Sequence, residues 1–174
     1  MAKQKLWKGL VAGGAAGLAA SLAMNQFQNL WSKTSKKLGH DGQQESSSRS
    51  GEENEDATMK VVAKVAEIGG YHLSREPEKK AGPIVHYAFG TGMGALYGTI
   101  MELGPRKLRR HELLSGVGFG SLLFAGADEI AVSAAGLSGP PREYPLSSHV
   151  YALASHLVYG LTTGAIRKVV RAVL

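Results

Sequence analysis

Two adjacent carboxylic acids and two histidines carry the chemistry that stands out in this chain. Asp128 and Glu129 lie within one apolar stretch, and His149 and His156 are seven residues apart in the next. Seven residues are close to two turns of an α-helix, so the two imidazoles are expected to share a helix face, about 10 Å apart along the axis. Because a histidine beside a carboxylate titrates in the physiological range, these residues suit the transfer of protons.

Polar residues of the other apolar stretches extend this candidate cluster. If the stretches are antiparallel helices, Asp128 and Glu129 lie about 13 Å from one end of theirs, at a depth that matches His156. The full predicted cluster is Asn25, Gln26, His86, Asp128, Glu129, His149 and His156. It could relay protons, or it could hold the helices in register through interhelical hydrogen bonds. We favour the structural interpretation.

We predict no cofactor and no catalytic site for this cluster. A metal ion held by histidine and carboxylate would be supported by a tight spacing such as His-x-x-x-His, which the chain lacks. Two histidines on separate helices could ligate a haem, but no other feature indicates one. The glycine-rich residues 90–94 have no βαβ pattern around them, so they do not indicate a nucleotide site. We therefore expect a protein that is not an enzyme.

Four apolar stretches would position the cluster by crossing a membrane. They cover residues 6–30, 83–103, 113–137 and 148–170. Each approaches or exceeds the roughly 20 residues that cross a hydrocarbon core of about 30 Å. The mean hydropathy is only −0.08 because polar residues are concentrated between the first two stretches. The predicted fold is all-α, a four-span transmembrane helical bundle with a polar extramembrane loop and a short amphipathic helix.

Glycine is unusually abundant, with 23 residues. In water each glycine inside a helix costs roughly 0.5–1 kcal/mol relative to alanine, whereas in lipid small residues allow two helices to pack closely. We expect packing within one bundle, and a seam between copies in a homo-oligomer or channel is the alternative. The predicted packing residues recur at every fourth position: Gly9, Gly13, Gly17, Gly90, Gly94, Gly98, Gly116, Gly120, Gly160 and Gly164.

The polar region between the first two stretches has two parts. Residues 39–56 are charged and nearly free of apolar side chains, so we predict a disordered loop. Residues 57–73 place Val61, Val62, Val65 and Ile68 on one helical face. We predict an interfacial helix that lies on the membrane; a short helix packed on the end of the bundle is the alternative.

The basic residues predict the orientation. Lysines precede the first stretch, residues 106–110 hold four basic side chains, and residues 167–171 hold three. Short basic loops stay on the cytoplasmic side, so both termini are expected there. The net charge of +6 then marks the membrane edge, where anionic lipid headgroups rather than nucleic acid are the expected partner. Residues 1–23 also resemble a signal peptide, but three further stretches make a retained first helix the simpler interpretation.

The later stretches resemble the YagU-type family of small bacterial inner-membrane proteins. The resemblance rests on His-Tyr-Ala-Phe-Gly at residues 86–90 with Tyr97-Gly98, the glycine-rich start of the third stretch, Pro140-Pro141, and His-Leu-Val-Tyr-Gly at residues 156–160. It covers residues 83–171. It implies a multi-pass protein of the bacterial inner membrane with a suggested link to acid tolerance. It implies no reaction, ligand or catalytic residue, so the expected role is structural or accessory, with proton or small-ion handling as the alternative.

Overall fold

The computed structural model describes residues 2–37, 60–63, 67, 70, 75–137 and 139–174. All regular secondary structure in these residues is helical, which confirms the predicted all-α class. Four long helices are α1, Ala2–Lys37; α2, Arg75–Leu103; α3, which runs through residues 112–134; and α4, Leu146–Val173. A five-residue helix, Arg106–Arg110, joins α2 to α3, and a short 3-10 helix, Pro141–Glu143, precedes α4.

The helix ends follow from local chemistry. Pro105 and Pro145 stand at the N-cap positions of the helices that follow them, where the missing N–H leaves no hydrogen bond unmade. Helix α2 begins at Arg75, eight residues before Pro83, where the sequence placed the start of the span. The preceding segment is rich in Glu and Lys, which are good helix formers, so the helix extends beyond its apolar part.

Helix α3 changes its winding midway. It is α-helical over Glu112–Leu123, π-helical over Phe124–Ala131 and α-helical again over Val132–Ala134. π-helical turns are rare and are often found at functional sites. This segment contains Asp128 and Glu129, so the altered winding sets the directions of both carboxylates.

At two helix crossings, glycines allow the facing backbones to pack in close contact. Helix α1 packs on α2 and on α4, and α3 packs on α4. A β-carbon on Gly94 would lie 2.5 Å from Cα of Gly17, which is closer than packed atoms come. At the second crossing a β-carbon on Gly160 would lie 2.9 Å from the backbone nitrogen of Gly120. All ten glycines of the four-residue pattern meet the facing helix in this way, whereas Gly92, Gly118 and Gly126 face open space.

The antiparallel arrangement collects the basic residues at one end of the bundle, which we call the basic end. The start of α1, the end of α2, the start of α3 and the end of α4 meet there. Lys8 donates a hydrogen bond to the carbonyl of Leu174, and the side chains of α2 and α3 contact Arg167 of α4. The short helix Arg106–Arg110 belongs to the same end. We call the opposite end of the bundle the far end.

The interior of the bundle mixes small, polar and apolar side chains, and its surface is largely apolar. Ala16, Ser155, Thr163 and Arg167 are each 0% exposed, and the larger Met101 and Tyr97 are buried beside them. Large apolar side chains lie on the surface of all four helices instead. Exposed examples are Leu18 and Leu22 of α1, Ile84 and Phe89 of α2, Leu114 and Leu122 of α3, and Leu161 and Val169 of α4. This many exposed large apolar side chains, together with a fully buried arginine, is unusual for a protein in water.

By length and composition, two helices could cross a membrane, over Leu6–Ser35 and Glu112–Ala134. Only 6% of the apolar window of α3 is buried in the bundle, so α3 differs from the core helix of a water-soluble protein. The predicted loop 39–56 lies outside the described residues. Of the predicted amphipathic helix 57–73, residues 60–63 are helical, and Lys60 donates a hydrogen bond of 2.8 Å to the carbonyl of Leu137.

Candidate functional site

A cavity of about 370 Å³ lies between the four helices in the half of the bundle towards the far end. Its walls are mainly apolar and include Met24, Phe89, Met93 and Leu123. Val61, from the described part of residues 57–73, also lines it. Three residues of the predicted cluster face the cavity: His86, Asp128 and His156.

His86 enters the cavity from α2. Its Nε2 atom is buried and has no hydrogen-bond partner among the described residues. The imidazole packs edge-on against the ring of Tyr87, with ring centroids 5.6 Å apart. A buried polar nitrogen without a partner is costly, so this atom is available to a ligand.

His156 enters from α4, and its hydrogen bond fixes which nitrogen is free. Nδ1 lies 2.9 Å from the carbonyl of Ala152, one helical turn earlier. A carbonyl only accepts hydrogen bonds, so Nδ1 carries the proton and Nε2 of the neutral ring is an acceptor. The ring also packs against Phe124, with centroids 6.0 Å apart.

Asp128 and Glu129 point to different places. Asp128 lines the cavity and interacts electrostatically with His156. Glu129 lies 2.7 Å from Nδ1 of His149, and the other ring nitrogen of His149 is 3.0 Å from the carbonyl of Pro141. The Glu129–His149 pair is partly exposed and links α3 to the start of α4.

The two residues of α1 stand apart from this arrangement. Asn25 donates a hydrogen bond of 2.7 Å to the hydroxyl of Tyr87, and Gln26 is exposed. The structure therefore divides the seven predicted residues into a cavity group of three, the Glu129–His149 pair, and the two α1 side chains.

Between the cavity and the basic end, the buried hydroxyl groups donate hydrogen bonds to backbone carbonyls. Tyr159 donates a hydrogen bond of 2.5 Å to the carbonyl of Gly90, and Ser21 one of 3.0 Å to that of Gly17. Thr163 donates to the carbonyl of Tyr159, and Tyr97 donates to that of Glu112. These hydrogen bonds satisfy the buried hydroxyls with backbone acceptors and tie the helices together.

A second cluster, which the sequence analysis did not identify, lies at the basic end. Arg167 is fully buried and donates from Nη2 to Glu102 and from Nη1 to Glu112, each at 2.8 Å. Arg171 donates from Nε to the same oxygen of Glu102 at 2.6 Å. Because Glu102 ends α2, Glu112 begins α3 and both arginines belong to α4, this network joins three helices.

The loop at the basic end is held by a further arginine. Arg109 donates from Nη1 to the carbonyls of Met101, Glu102 and Gly104 at 2.5, 3.1 and 3.2 Å. These carbonyls belong to the last turn of α2 and the residue after it. A cation at the end of a helix is favoured by the helix dipole, so Arg109 stabilises the end of α2.

The sequence contained a signal for the buried arginine. Ser155, Tyr159, Thr163 and Arg167 follow one another at four-residue intervals and form the buried face of α4. An arginine that continues a buried helix face needs acidic partners, and Glu102 and Glu112 flank the adjacent loop. Basic residues at the end of an apolar stretch are typical of the membrane edge, so this pattern alone does not distinguish the buried Arg167 from the exposed Lys168.

Within the described residues, no three His, Asp or Glu side chains are close enough to hold a metal ion. Comparison of the chain with models of known families, with curated proteins and with solved structures found no match. The resemblance to the YagU-type family stays a prediction.

Proposed function

We propose that the chain is an integral protein of the bacterial inner membrane with four spans, a structural or accessory role and no enzymatic activity. The observation that carries the proposal is the exposure of large apolar side chains on all four long helices, together with the complete burial of Arg167. Helices α2 and α4 share this pattern with α1 and α3, which supports four spans. Exposed apolar surface of this extent is stable in lipid and promotes aggregation in water.

The charge distribution supports an orientation with both termini in the cytoplasm. Arg106, Lys107 and Arg110 are at or near the surface of the basic end, together with Lys168. Basic side chains are retained on the cytoplasmic side, where they also attract anionic headgroups. The loop 139–145 at the far end contains one basic residue, Arg142, next to Glu143.

The packing supports a structural role. The glycine crossings and the ion pairs of Arg167 are made within one chain, so these contacts need no second copy. Arg167 Nε and Glu112 Oε2 have no hydrogen-bond partner among the described residues. A homo-oligomer would use the exposed apolar faces. The acid-tolerance link of the resembling family is part of the proposal and rests on that resemblance alone.

Lysine substitution tests the membrane environment. Leu122 is 72% exposed in the middle of α3, and Leu146 is 77% exposed at the first residue of α4. In a bilayer Leu122→Lys places a charge at depth and costs roughly 2.5–3.5 kcal/mol, whereas Leu146→Lys lies at the interface. We expect Leu122→Lys to lower the amount of protein in carbonate-washed membranes and Leu146→Lys to leave it unchanged. Recovery of parent and both variants in the soluble fraction would overturn the proposal.

Proton or small-ion handling is the second candidate, because His86, Asp128 and His156 face one cavity. Its test is proton flux into liposomes that contain the purified protein. Flux in the parent protein that Asp128→Asn abolishes and Glu143→Gln retains would favour this candidate. Absence of flux above empty liposomes would favour the structural role.

A further inference from the structure

We propose that the cavity at the far end binds a lipophilic amine, with the ammonium group on Asp128 and the apolar part between the helices. This inference rests on the cavity and not on the structural role of the bundle. The cavity volume of about 370 Å³ lies in the range of small-molecule sites. Such sites combine apolar walls with a few polar groups that face one another.

Two polar groups of the cavity are acceptors, and the imidazole of His86 is a third in the tautomer that carries its proton on Nδ1. Asp128 contributes a carboxylate, and no described residue donates a hydrogen bond to it. His156 contributes Nε2, because its Nδ1 proton is bound to the carbonyl of Ala152. The Nε2 atom of His86 has no partner among the described residues. An ammonium group has N–H donors and no acceptor, so it complements this set.

The negative charge of the Asp128 carboxylate also favours a cationic ligand. A carboxylate in an apolar site is stabilised by a positive charge beside it. Arg167 and Arg171 are paired at the other end of the bundle, and the basic side chains that interact electrostatically with Asp128 are the imidazoles of His156 and His149, so an ammonium group would bring a full positive charge to this carboxylate. The described residues bring no three His, Asp or Glu side chains close enough to coordinate a metal ion. An organic cation needs no such coordination and fills the apolar volume as well.

The apolar walls define the rest of the ligand. Met24, Phe89, Met93 and Leu123 leave room for an alkyl chain or a single ring. Two of these side chains are methionines, which adapt to ligands of different shape. The structure therefore points to a class of ligands, primary amines with one apolar tail.

Octylamine is the probe that tests this inference, and octanol is its uncharged counterpart with the same tail. Binding to the full-length protein in nanodiscs is measured by ligand-observed NMR, with empty nanodiscs subtracted. We expect saturable binding of octylamine and at least about tenfold weaker binding of octanol, because octanol lacks the charge. Equal binding of the two compounds would identify an acyl-chain site and overturn the proposal, as would no binding of octylamine.

Two neighbouring carboxylates provide the matched variants. Asp128→Asn removes the charge in the cavity, and Glu129→Gln removes the adjacent charge that binds His149 instead. We expect Asp128→Asn to weaken octylamine binding at least about tenfold and Glu129→Gln to leave it nearly unchanged. If Asp128→Asn does not fold, Ala127→Leu, which narrows the cavity, should abolish binding in a folded protein. Unchanged octylamine binding in the folded Asp128→Asn or Ala127→Leu variant would contradict the inference.

Discussion

Arg167 of α4 and Glu102 of α2 form an ion pair of 2.8 Å in which the arginine side chain has no exposed surface. The same carboxylate oxygen also accepts a hydrogen bond from Arg171, and the other guanidinium nitrogen of the pair binds Glu112. Two positive and two negative groups therefore meet at the C-terminal ends of α2 and α4 and the N-terminal end of α3. Removing one member leaves charges buried without compensation, which is far more costly than the intact network.

Arg167→Met is expected to destabilise the bundle by about 3–5 kcal/mol, because Glu102 and Glu112 lose their shared cation. The adjacent Lys168 is exposed, so Lys168→Met should change the free energy of unfolding by less than about 0.5 kcal/mol. Unfolding in mixed micelles measures both. Equal stability of the two variants would mean that Arg167 is solvated rather than buried.

The glycine crossing between α1 and α2 can be tested with two glycines of the same helix. A β-carbon on Gly94 collides with the backbone of Gly17, whereas one on Gly92 meets nothing within 4 Å. Gly94→Ala should destabilise the protein by about 1–3 kcal/mol through separation of the helices. Gly92→Ala should be neutral or slightly stabilising, because alanine is the better helix former. Thermal unfolding in detergent compares them, and the same melting temperature for both would show that α1 and α2 do not cross there.

The Glu129–His149 pair is expected to contribute little to stability, since both side chains are partly exposed. A double-mutant cycle of Glu129→Gln and His149→Gln should give a coupling energy of about 0.2–1 kcal/mol. A coupling above about 3 kcal/mol would place the pair in a fully buried environment instead.

The π-helical segment provides a test of how α3 directs its carboxylates. Deleting Gly126, which faces open space, is expected to convert the segment to α-helix and turn Glu129 away from His149. The crossing of Gly116 and Gly120 with α4 should persist, because it precedes the deletion. The protein should therefore fold while the Glu129–His149 coupling disappears. Retention of that coupling would show that the winding does not position Glu129.

The helices were largely predictable from the sequence, whereas the site was not. Apolar stretches and the four-residue glycine spacing indicate the four long helices. The division of the predicted cluster depends on the rotation of α3, because the adjacent Asp128 and Glu129 point about 100° apart on a helix and the sequence does not determine which of them faces the cavity. Eight π-helical residues change the directions of both side chains, and no sequence pattern marks them.

The Arg167 network was missed for a different reason. Basic residues near the end of an apolar stretch normally lie at the membrane edge, and Lys168 follows that rule. Arg167 is one residue earlier and therefore about 100° away around the helix axis, on the face where Glu102 and Glu112 lie. Only the relative rotation of three helices distinguishes the two arrangements.

The measurement that tests four spans most directly is the labelling of single cysteines in intact cells. The chain has no cysteine, so Glu52→Cys, Lys107→Cys and Arg142→Cys each provide one thiol. With the outer membrane opened, a maleimide that does not cross the inner membrane should label positions 52 and 142, and position 107 only after lysis. If α1 and α3 alone crossed the membrane, positions 52 and 107 would be labelled alike and position 142 would differ from both, which would contradict the four-span bundle.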